Sequence, residues 1–149
     1  MVLIKNKKAH HEYEITKTYS AGIVLSGAEV KSLRLKHGSL TGSYVKYIAG
    51  ELFLLNAQIN PYKFSKNEDY DPKRTRKLLM RKKEIYQLAE ASTKKGWGII
   101  PLTFELHSQK IKLVLGLGRG KKLFEKREIL KQKAIKMDIA REMKQKIRG

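Results

Sequence analysis

No cysteine occurs in this chain, which excludes disulfides and thiolate metal sites. Long apolar runs are missing too: nothing approaches the roughly 20 residues needed to cross a bilayer. The first eight residues, Met1-Val2-Leu3-Ile4-Lys5-Asn6-Lys7-Lys8, lack the apolar stretch of a signal peptide, so the expectation is a cytoplasmic chain. Tryptophan occurs once and proline three times. Acid is scarce: 14 Asp and Glu face 33 Lys and Arg, a net charge of +19. The few carboxylates are scattered, and only Glu68, Asp69 and Asp71 cluster. A two-metal nuclease needs several converging carboxylates, and an Asx-turn role is commoner for such a group.

What is present is positive charge. Residues 1–120 hold 22 basic and 10 acidic residues, and the 29 residues from Lys121 onward hold 11 and 4. Both parts repel themselves, and a polyanion relieves that repulsion. Nucleic acid is the leading partner and an anionic membrane the second. From Lys121 to Arg148 neither Gly nor Pro interrupts the chain, so a helix is permitted throughout. It would span roughly 44 Å at about 1.5 Å per residue. Ile135, Ile139, Met143 and Ile147 recur at i, i+4, an amphipathic stripe. A packed terminal helix is one reading; a tail disordered when free and helical when bound is the other. Residues 121–149 hold no Trp and no bulky aromatic anchor beyond Phe124, which counts against membrane docking.

The body reads as strands and short helices. Residues 1–10 look loosely held. Alternation predicts a strand over 12–16, and Ala21-Gly22-Ile23-Val24-Leu25 a second. Ser26 or Gly27 opens a helix through about Leu35, which Gly38 ends. Residues 43–55 form a hairpin about Ala49-Gly50. Residues 60–73 are a long surface loop. A helix is predicted from Arg74 to Ala91, stopped by Gly96, with a second hairpin over 99–117. The short connections require a largely antiparallel sheet, closed as a barrel or packed as a sandwich.

Chemistry-bearing motifs are few. Gly116-Leu117-Gly118-Arg119-Gly120-Lys121-Lys122 fails as a phosphate loop: Leu115 and Lys122 stand where glycine and Ser/Thr belong. His10, His11, His37 and His107 do not pair at metal-ligand spacing. Seven basic residues lie in 73–83 with no acid between them, which favours phosphate contact over a solvated face. Tyr13, Tyr19, Tyr44, Tyr47, Phe53, Tyr62 and Phe64 sit among lysines. Most belong to a core, and an exposed few would suit base stacking.

Several segments together carry a resemblance. They are Asn6-Lys7-Lys8-Ala9-His10-His11-Glu12-Tyr13, the stretch 21–34 (AGIVLSGAEVKSLR), Ser43-Tyr44-Val45 and 54–62 (LLNAQINPY). They continue with 71–79 (DPKRTRKLL), then Gly118-Arg119-Gly120-Lys121-Lys122 with Lys126-Arg127. In this order they closely resemble the SsrA-binding, or small protein B, family, from about Asn6 to the C-terminus. The resemblance implies a mainly β fold, an antiparallel oligonucleotide-binding-type barrel with two or three flanking helices. It implies an RNA-binding barrel domain over 1–120 and a basic C-terminal tail over 121–149, helical when bound to the ribosome. It implies a non-enzymatic adaptor, monomeric when free, without cofactor or metal. Such a protein binds the tRNA-like domain of transfer-messenger RNA and delivers it to stalled ribosomes, where the tail occupies the decoding centre and the empty message channel.

Carried over by position, Glu29, Leu79 and Lys112 match residues important for transfer-messenger RNA binding. Asn6, Lys8, His11 and Arg34 match motif positions near the same RNA, and Arg74, Arg76 and Lys77 lie in the basic run. Glu29 cannot attract phosphate, so it accepts hydrogen bonds from base or ribose or orients a neighbouring arginine. Gly120, Lys121, Lys122, Lys126 and Arg127 match the tail segment that meets small-subunit ribosomal RNA. Phe124 and Glu125 stand where the family often has His or Tyr, then Asp. Phe124 keeps a stacking face without a polar handle. Met80-Arg81 replaces a common Leu-His pair. A general basic RNA-binding or ribosomal protein is the runner-up, and a nuclease using Glu68, Asp69 and Asp71 a third reading.

Overall fold

Three strands of eleven residues form the spine: β2 (Tyr13–Ile23), β8 (Trp97–His107) and β9 (Lys110–Gly120). The computed structural model describes residues 1–121. In chain order the other elements are β1 (Val2–Lys5), α1 (Ala9–Glu12), α2 (Gly27–Arg34), β3 (Gly38–Ser39), β4 (Tyr44–Ile48), β5 (Glu51–Leu55), β6 (Gln58–Ile59), β7 (Arg76–Leu79) and α3 (Lys82–Ser92). Seven strands make one sheet in the order β1-β8-β9-β2-β7-β5-β4, and β3 pairs with β6. Every pairing is antiparallel. The fold is mainly β, with a few helices. The sheet ends on β1 and β4, which do not pair, so hydrogen bonds do not close the expected barrel.

Both hairpins turn as the sequence suggests. Ala49 and Gly50 take φ of 50° and 85°, the left-handed pair that matches strand twist in a two-residue turn. Ser108 and Gln109 do the same at 47° and 71°. The main core gathers Leu33, Leu52, Leu54, Leu78, Leu88, Phe104, Leu113 and Leu115, each fully buried. Each stabilises by about 1.5–3 kcal/mol relative to exposure. A small second cluster packs Ala9 on Ile100 and Leu102. Strand β8 is therefore covered on both faces, which is why Ile99 to Leu102 reads as a continuous apolar run rather than an alternation. Register shifts between Pro101 and Thr103, where proline offers no N–H to the ladder.

Four expectations are corrected. The first ten residues are not loose: Ile4 pairs opposite Phe104, and Leu3 and Ile4 are buried. Residues 12–16 and 21–25 are not separate strands but fall largely on the single strand β2, which bulges between Ile15 and Lys17. The helix predicted from Arg74 begins only at Lys82, because 76–79 alternates in and out as strand β7. Gly38 does not end α2, whose last turn closes at Leu35 with Lys36 at φ 62°. It serves β3 instead: a Cβ there would meet the Gln58 carbonyl oxygen at 2.8 Å and Leu33 Cδ2 at 3.2 Å. Gly38→Val is therefore expected to cost about 1–3 kcal/mol in thermal or denaturant unfolding. Gly27→Ala, where nothing lies within 4 Å, is the control expected to cost far less.

Candidate nucleic-acid interface

Ser26 caps α2. Its Oγ accepts from Glu29 N at 3.1 Å, and Glu29 Oε1 accepts from Ser26 N at 3.0 Å, a reciprocal capping box. That box fixes Glu29 pointing inward, 1% exposed. Arg76 Nε donates to Glu29 Oε2 at 2.8 Å, Arg74 Nε to the same oxygen at 3.1 Å, and Arg74 Nη2 to Oε1. The Tyr70 hydroxyl lies 3.0 Å from Glu29 Oε2 and 2.8 Å from Ile59 O, with one proton to share. Arg76 is wholly buried. Its Nη1 donates to Ala57 O at 2.8 Å, and its Nη2 to Pro72 O at 3.0 Å and to the Tyr70 hydroxyl at 3.2 Å. No buried side-chain nitrogen or oxygen among the described residues lacks a partner.

Burial pushes the Glu29 carboxyl up. Hydrogen bonds from Arg74, Ser26 N and Arg76, with the charge of Arg76, outweigh it and hold the pKa at about 2. Tyr70 is pushed up, first by burial and then by the Glu29 charge. The cluster ties α2, β7 and the 57–75 segment together. It also corrects the reading of Arg76 as an RNA contact: no face of its guanidinium reaches solvent. Of the two arginines Arg74 is the outward one, with a side chain 36% exposed, beside exposed Lys73 and Lys77. Lys77 stands 3.8 Å from Glu51.

Around the corner of α2 lies a second arrangement. Gly22 on β2 is the register partner of Leu79 on β7 and of Lys112 on β9. Leu79, Gly22 and Lys112 thus form one row across three strands, and residues opposite one another share a face. Gly22 leaves the middle of the row low; a Cβ there would stand 3.2 Å from Leu79 Cβ. The trough holds about 350 Å³, walled by Ile23, Leu25, Val30 and the Gln109–Lys112 corner. Leu79 is 52% exposed, so the core does not account for it. An apolar side chain beside a lysine, on a low floor, suits a ribose or base edge with its phosphate.

The N-terminal residues gather elsewhere. Asn6 and Lys8 line a cleft of about 490 Å³ with Glu12, Tyr13, Ser43 and Tyr44. Asn6 is buried, its Nδ2 donating to Pro101 O at 2.8 Å, so it braces the β8 irregularity. Lys8 is exposed and His11 half-buried on α1. The tail starts beside them: Lys121 N donates to Glu12 O at 3.0 Å and its Nζ to His10 O at 2.6 Å. Gly120 N donates to Gly96 O at 2.8 Å. Arg34 is exposed in the last turn of α2. Lys122, Phe124, Glu125, Lys126, Arg127 and the tail helix lie outside the described residues. Asp71 serves a turn, its Oδ1 accepting from Lys73 N at 2.9 Å. Among the described residues no three His, Asp or Glu are grouped to hold a metal, and no helix is long and apolar enough to cross a membrane.

A family model described as SmpB protein matches residues 3–145. The chain belongs to the SmpB family. An SsrA-binding protein of Staphylococcus saprophyticus is 46% identical over 142 residues, 95% of this chain and 92% of that one. One from Bacillus subtilis strain 168 is 45% identical over 148 residues, 99% and 95% of the two chains. A solved SmpB-family structure, presented as "tmRNA-SmpB: a journey to the center of the bacterial ribosome", aligns with a TM-score of 0.68 at 43% identity. It covers 80% of this chain and 84% of its own. Two participants escaped the sequence reading. Tyr70 gives no local signal within its loop. Gly22 does give one, since a glycine inside a strand pattern marks a close approach.

Proposed function

We propose that this SmpB-family chain is a non-enzymatic RNA-binding adaptor of trans-translation. It binds the tRNA-like domain of transfer-messenger RNA and carries it to stalled ribosomes. The observation that carries this reading is the near-full-length match to proteins named SsrA-binding. The geometry supplies the means. Lys112 meets phosphate, Leu79 packs on ribose or base, and Arg74 and Lys77 extend the charged surface. Glu29 and Arg76 position Arg74 and β7 without touching RNA. Lys8, His11 and Arg34 provide further contacts, and Asn6 holds the segment that presents them. Gly120 and Lys121 root the tail, whose Lys122, Phe124, Glu125, Lys126 and Arg127 meet small-subunit ribosomal RNA in the decoding centre. The body is an oligonucleotide-binding-type barrel; packing of β4 against β8 draws the ends of the sheet together in support.

The test is affinity for the tRNA-like domain against an ordinary alanine tRNA at the same near-physiological salt. A preference of roughly tenfold or more, about 1.4 kcal/mol, is expected. Lys112→Ala is expected to weaken binding and to lower the salt slope by about one unit. Equal binding of both RNAs that collapses with salt would make the chain a general polyanion binder instead.

A further inference from the structure

A second surface begins where the trough ends. Leu79 lines the trough and also a cleft of about 440 Å³ between the β4–β5 hairpin and α3. Tyr47 and Tyr86 line that cleft and an adjoining one of about 330 Å³ that reaches Thr93. The fold does not need either ring there. Helix α3 buries Ile85 and Leu88, whereas Tyr86 is 70% exposed. Tyr47 shares a strand face with buried Val45 yet remains 44% exposed, at the point where the core stops. The surroundings are basic. Lys77 and Lys82 line the larger cleft, and exposed Arg81 and Lys83 flank it in the chain. Of the two acids, Glu51 lies 3.8 Å from Lys77, leaving Glu90 in the smaller cleft.

We propose that this cleft receives an unpaired RNA base, stacked on Tyr86 and flanked by Tyr47, with Lys82 on the adjoining phosphate. Exposed aromatic faces beside cations are what single-stranded RNA uses, since every base has a π-face and every link a negative charge. Continuity through Leu79 makes the cleft an extension of the RNA surface proposed above, and the inference rests on that reading. An apolar peptide would leave the lysines facing its oily side, which disfavours a protein occupant.

The experiment uses the full chain and two probes: the tRNA-like domain, and a short oligoribonucleotide carrying 2-aminopurine. Tyr86→Ala is expected to weaken binding of the tRNA-like domain about tenfold. The salt slope stays the same, because no charge is lost. Tyr86→Trp is expected to keep affinity, and Lys82→Ala to reduce the slope. The oligonucleotide's fluorescence is quenched by the parent and not by Tyr86→Ala. Because Tyr86 and Lys82 lie on the surface, their variants should unfold at the parent's temperature. If Tyr86→Ala and Tyr47→Ala both bind like a parent that still prefers the tRNA-like domain, the base site is overturned and the adaptor reading stands. Loss of a concentration-dependent dimer in Tyr86→Ala, with RNA affinity unchanged, would assign the cleft to a second copy. A parent that quenches the oligonucleotide but shows no preference for the tRNA-like domain would keep the base site and overturn the adaptor reading.

Discussion

Glu29→Ala is expected to cost about 3–5 kcal/mol, because it strands the buried Arg76 guanidinium without its counter-charge. A domain of ordinary stability has about 5–15 kcal/mol in total, so the loss takes a large share of it and would leave a parent at the low end of that range substantially unfolded. Adding Arg76→Met removes the stranded charge and should recover part of the loss; urea unfolding of the three proteins measures both. The same pairing predicts acid lability. The folded pKa of Glu29 is about 2 against an ordinary 4.5. A carboxylate depressed by folding contributes fully above its ordinary value, and the contribution disappears as pH falls through the folded one. Stability should therefore drop by about 3 kcal/mol between pH 4.5 and 2 from this group. Glu29→Gln should be less stable at neutral pH and lack this component. Parallel acid curves for parent and variant would mean that other carboxylates dominate. Weaker RNA binding by Glu29 variants would then follow from misplaced Arg74 and β7.

Ending the chain after Lys121 is expected to abolish rescue tagging while the preference for the tRNA-like domain survives. The row of Leu79, Gly22 and Lys112 and the Glu29 cluster lie wholly within residues 1–121. The removed segment carries ten basic and four acidic residues. Affinity for every RNA should fall, with a shallower salt dependence, because a sequence-independent attraction has been removed. The ratio between the two RNAs should not. Tagging assayed on ribosomes stalled at a message end, beside that affinity ratio, reads both effects. Tagging that persists, or a ratio that falls to one, would contradict the division of labour proposed here.

The elements legible in the sequence were those whose signals are local. The helix start at Ser26, the turn at Ala49-Gly50 and the 99–117 hairpin each need only neighbours. Strand β7 failed because its pattern is inverted. Arg76 faces inward and Leu79 outward, so the alternation is visible only once Arg76 is counted as core. What buries it is Glu29, forty-seven positions earlier. Strand β1 failed similarly, since Leu3 and Ile4 sit among Lys5, Lys7 and Lys8 and find their partners about a hundred residues on. The candidate site divided along the same line. Matching motifs picked out Leu79 and Lys112, but only strand register shows that Gly22 stands between them. Periodicity could not separate Arg74, which reaches the surface, from Arg76, which does not.

The strand order also governs how the protein is made. Strand β1 hydrogen-bonds only to β8 within the large sheet, and β2 has β9 along nearly its whole length. The chain's opening elements must therefore wait for β8 and β9. Non-local pairing of this kind folds slowly and leaves strand edges bare in the meantime. A nascent chain of this sequence has no complete sheet until β9 has left the exit tunnel. Any product broken off before about residue 97 would carry a β2 whose β9 edge stays ragged and adhesive. Its synthesis thus depends on uninterrupted translation more than that of a helical protein of equal length.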